Sequence, residues 1–261
     1  MNPVDAFRLD GRVAFISGGG GAIGSALGEA IGAAGAKVVL GDIDQGHADQ
    51  AAARVRATGA ECIALGADIT KEAEAERVVT AALDTFGRLD IVVNAVGGGA
   101  GKVLFDAQDY PRDAWDWIME LNLRSTLIAT QAAARAMIRR GEGGRVITIG
   151  SVRAQLGINA GYSAYVAAKG AIASLTRQWA TEWARYGITV NTIAPTFVDT
   201  PQVAMLLADE TFKSGLVSRV PLGRIGETDD LVGPVIFFAS AASSFVTGQI
   251  LTVDGGLTAT Q

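Results

Sequence analysis

Two tyrosines and one lysine lie close together in the segment YSAYVAAKG, residues 162 to 170. If this segment is helical, Tyr165 and Lys169 are four residues apart and project from one face as neighbours. A close ammonium group stabilises tyrosinate, so we expect the pKa of Tyr165 to lie below its usual value of about 10. A phenol tuned in this way can take up or return the proton of a substrate hydroxyl.

Tyr162 is a second candidate for the same proton transfer. Seven residues bring it back to nearly the same helical face as Lys169, but it lies roughly 10 Å away along the axis. At that distance the ammonium group cannot tune the phenol directly. We therefore predict that Tyr165 is the acid–base group and that Tyr162, just before the helix, belongs to the substrate wall.

A glycine-rich turn, SGGGGAIG at residues 17 to 24, stands between an apolar segment and a predicted helix. Backbone N–H groups in such a turn can approach a pyrophosphate, and the positive end of the helix dipole faces the same anion. Asp42 ends the next apolar segment, some 24 residues after Gly18. A carboxylate there can accept hydrogen bonds from both adenosine ribose hydroxyls and would repel a 2′-phosphate. Because the turn has no Lys or Arg and Ile43 follows Asp42, NAD is favoured over NADP.

Apolar segments rich in β-branched residues alternate with helical windows along the chain. The predicted strands cover residues 12 to 17, 37 to 42, 61 to 66, 90 to 95, 145 to 150, 188 to 194 and 249 to 253. The predicted helices cover about 22 to 34, 45 to 58, 71 to 86, 112 to 139, 163 to 186 and 228 to 240. This alternation predicts an α/β fold, a Rossmann-type doubly wound, seven-stranded parallel sheet with helices on both faces, and ligands at the carboxyl ends of the strands.

We expect a single domain over residues 1–261, because no linker or repeat divides the chain. The longest irregular stretch, at about 195–228, is predicted to be a substrate lid. The stretch from Leu231 to Val253 has no charged residue and is long enough to span a bilayer. Glycines, a proline and serines interrupt it, so we predict helix, turn and strand, and no membrane association.

Composition excludes several classes of function. The formal net charge of -5 gives no basic footprint for nucleic acid. The one cysteine, Cys62, sits in an apolar run, where a core position is expected, and its lack of a disulfide partner fits a reducing cytoplasm. The N-terminal residues lack the basic-then-apolar pattern of a signal peptide, so we expect no export. A single histidine, His47, cannot build a histidine-dependent triad or a zinc cluster, and we expect no metal.

A series of motifs in order along the chain is similar to that of the short-chain dehydrogenase/reductases in their compact single-domain form. The motifs are Ser17-Gly18-(GGG)-Ala22-Ile23-Gly24, Asn94-Ala95-Val96-Gly97, Asn122, Ser151, Tyr165-(VAA)-Lys169, Asn191 and Pro195 through Thr200. The resemblance covers nearly the whole chain and implies a nicotinamide cofactor and a homotetramer in which two long helices pair across a two-fold axis.

The resemblance also implies roles for individual residues. Ser151, at the end of the fifth strand, would hydrogen-bond the substrate oxygen while Tyr165 acts on it. Lys169 would tune Tyr165 and bind the nicotinamide ribose, and Asn122 would hold a water that links the lysine to solvent. The implied cofactor-binding residues are Ser17, Gly18, Gly20, Gly21, Ala22, Ile23, Gly24, Asp42, Ile43, Asp68, Ile69, Asn94, Ala95, Tyr165, Lys169, Pro195, Val198 and Thr200.

Some positions depart from the family pattern. Ala22 stands where the second turn glycine is usual, Ala95 replaces a second asparagine, and Thr196 replaces a glycine. One extra residue separates Ser151 from Tyr165, and we assign it to the intervening loop. Ala95 and Thr196 would line the nicotinamide side of the site, so they bear on substrate shape more than on activity.

The expected function is an NAD-dependent oxidoreductase that transfers hydride between the cofactor and a secondary alcohol or ketone. The substrate is predicted to be a small polar molecule, such as a sugar, polyol or hydroxy acid, in contact with Gly98, Arg153, Tyr162 and Thr196. Arg153 and Lys102 could face a carboxylate or phosphate or could simply be solvated. The alternatives are a 3-oxoacyl thioester reductase, an epimerase or dehydratase with tightly held NAD, and a non-catalytic NAD-binding protein.

Overall fold

Seven parallel strands form one sheet in the order β3-β2-β1-β4-β5-β6-β7. The structure, a computed structural model, describes residues 3–260, so residues 1, 2 and 261 of the expected domain lie outside it. The strands are β1 Val13–Ser17, β2 Lys37–Asp42, β3 Cys62–Gly66, β4 Ile91–Asn94, β5 Gly144–Ile149, β6 Ile188–Pro195 and β7 Ile250–Val253. Each end lies within one residue of its predicted position, and the predicted doubly wound fold is confirmed.

Helices cover both faces of the sheet because most strands are apolar on both sides. They are α1 Ala22–Ala33, α2 Gln45–Ala57, α3 Glu72–Phe86, α4 Arg112–Met119, α5 Ser125–Arg140, α6 Ser163–Trp183, α7 Ala204–Leu207, α8 Glu210–Val217 and α9 Val232–Ala239. One hydrophobic cluster joins α1, α2 and α9 to the sheet, and a second joins α3, α5 and α6 to it. Successive residues of β1, such as Phe15 and Ile16, point to opposite faces of the sheet and belong to different clusters, as strand geometry requires.

The chain reverses its direction of winding at β1, which lies between β2 and β4. Ligands of doubly wound sheets bind at the carboxyl edge next to such a point. The loops that leave β1, β4 and β5 at this edge hold the glycine turn, Gly97 and Ser151.

The window 112–139, predicted as one helix, is divided in the structure. A π-helical turn at Glu120–Arg124 separates α4 from α5. Its centre is Asn122, whose amide group donates to the carbonyls of Ile118 and of Gly98 in the loop after β4. The wider π-helical turn therefore coincides with a hydrogen bond from Asn122 to a residue outside the helix. The apolar periodicity of the sequence does not indicate such a bond.

The predicted lid is also more ordered than expected, because it contains α7 and α8. A bridge between Val198 and Gly226 closes its base. Leu231 to Val253 forms the end of a 3₁₀ turn, α9, a turn and β7, as predicted. Within residues 3–260, no helix is both long enough and apolar enough to cross a membrane.

Candidate active site

Ser151 follows β5 and is held by the loop that it begins. Its hydroxyl oxygen accepts the backbone N–H of Arg153 at 3.1 Å. Because this lone pair is occupied, the hydroxyl proton is free to point toward the phenol of Tyr165, whose pKa the nearby Ser151 hydroxyl lowers. The side chain is only 7% exposed, so this orientation is shielded from bulk water.

Tyr165 and Lys169 project from the same face of α6, as their spacing predicted. The Lys169 Nζ atom lies 5.5 Å from the centre of the Tyr165 ring. Lys169 is buried, with 3% exposure, and donates to the carbonyl oxygen of Ile149 at 3.1 Å. The lysine thus ties α6 to the end of β5, and it brings Tyr165 beside Ser151.

The expected lowering of the Tyr165 pKa is wrong for the protein without ligands. Burial raises the pKa of Tyr165 to about 12, although the nearby Ser151 hydroxyl acts in the opposite direction. Burial also lowers the pKa of Lys169 to about 8. The ammonium group is directed to the Ile149 carbonyl rather than to the phenol oxygen, and desolvation outweighs its attraction for tyrosinate.

Tyr162 is the N-cap residue of α6 and lies beside the catalytic candidate. Its ring centre is 6.2 Å from that of Tyr165, with the rings nearly perpendicular at 81°. The side chain is 8% exposed, and burial raises its pKa. The structure thus brings Tyr162, Tyr165, Lys169 and Ser151 together.

Asn122 reaches the same region from the π-helical turn. Its carboxamide accepts the N–H of Gly98 at 2.9 Å and donates to the Gly98 carbonyl at 3.0 Å. A Cβ atom at Gly97 would lie 2.9 Å from Asn122 Oδ1 and 3.3 Å from Lys169 Nζ. Gly97 therefore lets the loop pass between these two side chains. The water-holding role of Asn122 stays a prediction.

Two glycines of the glycine turn lie where any side chain would collide with neighbouring backbone. A Cβ atom at Gly18 would lie 2.9 Å from the Val96 nitrogen, and one at Gly24 would overlap the Gly18 carbonyl oxygen. The start of α1 carries no side-chain cap, which leaves its first N–H groups available to an anion. Ala22 is exposed, so its methyl group does not crowd the turn.

Asp42 is oriented by the turn that it is expected to serve. One carboxylate oxygen accepts the Gly20 N–H at 2.9 Å, and the other accepts the Asp44 N–H at 3.1 Å. Each oxygen keeps a further lone pair for a ribose hydroxyl. Ile43, next to it, is 77% exposed and offers an apolar surface beside the carboxylate.

The other predicted cofactor residues differ in what they expose. Asp68 holds the turn after β3 by accepting from Thr70, whereas the Ile69 side chain is buried in the core. The Asn94 side chain is 1% exposed and donates to Thr130 and Thr148. Ile69 and Asn94 could therefore meet a ligand only through their backbones. The Ser17 hydroxyl is buried without a hydrogen-bond partner within residues 3–260, and the Ala95 N–H donates to the Ser17 carbonyl.

The segment after β6 supplies the remaining candidates. Pro195 ends the strand, Val198 is 7% exposed, and Thr196 lines a cleft together with Arg153. Gln202, which lies in the predicted lid but is not among the predicted site residues, donates to the Gly97 carbonyl at 3.2 Å. The only sequence signal for this contact is the position of Gln202 in the predicted lid.

Lys102 and Arg153, the two cations considered as partners of a substrate carboxylate or phosphate, differ in their exposure to solvent. Lys102 is exposed, as simple solvation predicts. Arg153 is 4% exposed, which rules out simple solvation for it.

Known proteins resemble this chain over almost its whole length. A family model described as Enoyl-(Acyl carrier protein) reductase matches residues 20–258. The 2-(S)-hydroxypropyl-CoM dehydrogenase 3 of Xanthobacter autotrophicus is 40% identical over 97% of this chain and 98% of its own. Gluconate 5-dehydrogenase of Gluconobacter oxydans is 36% identical over 99% of each chain. The crystal structure of a gluconate 5-dehydrogenase from Burkholderia cenocepacia in complex with NADP and tartrate has a TM-score of 0.89 and 38% identity over 99% of each chain.

The parallel sheet, its glycine turn and the grouped serine, tyrosine and lysine define a dinucleotide-dependent oxidoreductase. The chain belongs to the short-chain dehydrogenase/reductase family. The resemblance read from the motifs is confirmed, and so is the class of oxidoreductase acting on CH–OH groups.

Proposed function

We propose that this protein is an NAD-dependent dehydrogenase that interconverts a secondary alcohol and its ketone on a small, polar, polyhydroxylated substrate. The observation that carries the proposal is the convergence of Ser151, Tyr165 and Lys169 at the carboxyl edge of the sheet, beside the glycine turn. The bound nicotinamide group would supply the hydride acceptor or donor.

The chain's own residues would handle the proton and the substrate oxygen. During oxidation, Tyr165 in its deprotonated form would accept the hydroxyl proton of the alcohol while Ser151 hydrogen-bonds the same oxygen. Because burial raises the pKa of this phenol to about 12, the deprotonated form would depend on the positive charge of bound NAD⁺. In the reverse direction Tyr165 returns that proton to the ketone oxygen. Lys169, whose pKa burial lowers to about 8, can exchange a proton near neutral pH and would relay it away from the phenol. Asn122, which holds Gly98, would position the water through which the relay reaches solvent.

Support for a polar substrate comes from the relatives. Two of them are named as gluconate 5-dehydrogenases and one as a 2-(S)-hydroxypropyl-CoM dehydrogenase. The matching family model is described as Enoyl-(Acyl carrier protein) reductase, which names a carrier-bound acyl thioester but a carbon–carbon double bond rather than a ketone. The second candidate is therefore an acyl thioester substrate, tested as the reduction of a 3-oxoacyl thioester. Purified protein assayed for NADH formation or loss with polyols, sugar acids, hydroxy acids and 3-oxoacyl thioesters separates the two.

Asp42 supports NAD over NADP. Its two oxygens are held by the Gly20 and Asp44 N–H groups, so the carboxylate cannot easily turn away from a ribose 2′-position. A 2′-phosphate there would meet a fixed negative charge. The relative from Burkholderia cenocepacia is in complex with NADP, so the two cofactors have to be compared directly on this protein. We expect kcat/KM at least about 10-fold higher with NADH than with NADPH, and Asp42→Ala to narrow that ratio. Equal use of both cofactors by the unaltered protein would remove this part of the proposal.

We extend the proposal to a homotetramer and to the cytoplasm. The buried Cys62, whose pKa burial raises to about 11, suits a reducing compartment because it needs no disulfide partner. Light scattering after gel filtration tests the tetramer, and fractionation of the producing cells tests the location.

A further inference from the structure

Arg153 lies two residues beyond Ser151 and is buried, with 4% exposure. Its Nη1 atom donates to the Gly157 carbonyl at 3.0 Å. That is the one side-chain hydrogen bond that it makes within residues 3–260, and no described Asp or Glu forms an ion pair with it. A guanidinium group has five N–H donors, so most of its capacity is unused.

A buried cation without a counter-charge is an unfavourable feature of a folded protein. Burial and the nearby guanidinium group of Arg219 lower the pKa of Arg153, and the phenols of Tyr162 and Tyr165 act in the opposite direction. The guanidinium groups of Arg153 and Arg219 therefore lie close to each other and line the same space. An anion entering this space would meet an already desolvated cation.

The space next to Arg153 is a cleft. Its lining includes Thr196, Phe197, Leu216, Arg219 and Ile225, and no carboxylate lines it. Arg219 is exposed and offers a second cation there. Because the Arg153 backbone also orients Ser151, the cleft and the proposed catalytic hydroxyl share one loop.

We propose that Arg153 is the receptor for a carboxylate group of the substrate, and that Arg219 helps to draw the anion into the cleft. This inference rests on the proposed function and deepens it. The substrate class becomes hydroxy acids in which one carbinol reaches Ser151 and Tyr165 while the carboxylate binds Arg153. A bidentate pair with the planar guanidinium group would fix which carbinol is presented for oxidation.

The test compares a carboxylate with its neutral isostere. D-Gluconate and D-gluconamide, and (S)-3-hydroxybutyrate and its amide, are assayed with NAD by NADH absorbance. The measured quantity is the ratio of kcat/KM for acid to kcat/KM for amide. For Arg153→Met we expect that ratio to fall about 10- to 100-fold, the range of a charged hydrogen bond. Arg153→Lys should recover part of the ratio, because it keeps the charge but not the fork.

Controls separate this role from a structural one. Arg139→Met removes an exposed cation at the far end of α5 and should leave the ratio within about 2-fold of the unaltered protein. Arg153→Met should unfold at the same temperature as the unaltered protein or higher, because it removes an uncompensated buried charge. Calorimetric titration of D-gluconate into the NADH-bound protein gives a reading that does not depend on turnover, and Arg153→Met should weaken that binding.

The results that would overturn the role of Arg153 differ from those that would overturn the proposed function. Oxidation of acids and amides at similar kcat/KM, with a ratio unmoved by Arg153→Met, would overturn the role of Arg153 and leave the proposed function standing. Absence of NAD reduction with every alcohol tried would overturn the proposed function. In that case, equal gluconate binding by the unaltered protein and Arg153→Met, or none by either, would overturn the anion site as well.

Discussion

The ring of Tyr162 stands at 81° to the ring of Tyr165, with 6.2 Å between their centres. Edge-to-face pairs of this kind favour one mutual orientation of the rings. Tyr162 therefore supports the ring that would exchange the substrate proton, and Arg153 lies close enough to both tyrosines to lower the pKa of each.

This pairing leads to a matched substitution. Tyr165→Phe keeps the ring pair but removes the acid–base hydroxyl, so kcat should fall by about 10³-fold, within the range of general acid–base catalysis. NADH binding, followed by fluorescence, should persist. Tyr162→Phe is the control and should alter KM or substrate preference while kcat keeps its pH dependence. Turnover by Tyr165→Phe at a rate close to that of the unaltered protein would remove Tyr165 from its role.

The raised pKa of Tyr165 predicts how the free protein titrates. Because burial raises this pKa to about 12, Tyr165 should contribute no tyrosinate absorbance up to about pH 10 in protein without ligands. The measurement is the ultraviolet difference between the unaltered protein and Tyr165→Phe across that range. Saturating NAD⁺ should move the titration downward, because it adds a positive charge near the phenol. A titration near pH 7 in the free protein would contradict the dominance of burial.

The buried Lys169 predicts a conflict between stability and activity. Its folded pKa is about 8 against an ordinary 10.5, so between these pH values the unfolded chain binds more protons and folding stability rises with pH. Below about pH 8 the full desolvation penalty is present. Removing it should outweigh the lost hydrogen bond to Ile149, so Lys169→Met should gain about 2 kcal/mol in free energy of unfolding at pH 7.

The same variant should lose turnover, and its stability gain should shrink toward pH 10. Urea unfolding at both pH values measures this, with Lys213→Met as the matched control because Lys213 is exposed on α8. If Lys169→Met were less stable than the unaltered protein at pH 7, Lys169 would be a net stabilising contact instead of a functional burden.

The strands and the Tyr165–Lys169 pairing could be predicted because both depend on local pattern. Continuous β-branched runs identify strands covered on both faces, and a spacing of four residues defines neighbours on a helix. The π-helical turn could not be predicted in this way. It accompanies bonds between Asn122 and Gly98, which are 24 residues apart in the chain.

The burial of the site residues could not be predicted from the sequence either. Arg153 sits in a loop of mixed polarity, where a solvated side chain is the ordinary expectation. Residues of the predicted lid, such as Leu216 and Ile225, complete the cleft around it. The direction of the Tyr165 pKa depends likewise on how tightly the surrounding elements exclude water, which the spacing to Lys169 does not reveal.

Two substitutions in the glycine turn, one from glycine to alanine and one from alanine to glycine, test the cofactor site. A methyl group at Gly24 would overlap the Gly18 carbonyl oxygen, a backbone atom that cannot move aside without displacing α1 from β1. Gly24→Ala should therefore cost about 1–3 kcal/mol in free energy of unfolding and weaken NADH binding at least about 10-fold.

Ala22→Gly is the matched control, and it also tests the position where this chain departs from its family. Ala22 is exposed at the start of α1, so removing its methyl group should leave NADH affinity within about 3-fold and cost at most about 1 kcal/mol in helix propensity. Fluorescence titration with NADH and urea unfolding measure both variants. Unchanged NADH affinity in Gly24→Ala would argue against the turn as the pyrophosphate site, because the displaced N–H groups of α1 could then not be its ligands. A large gain of affinity in Ala22→Gly would show instead that the methyl group obstructs the phosphate.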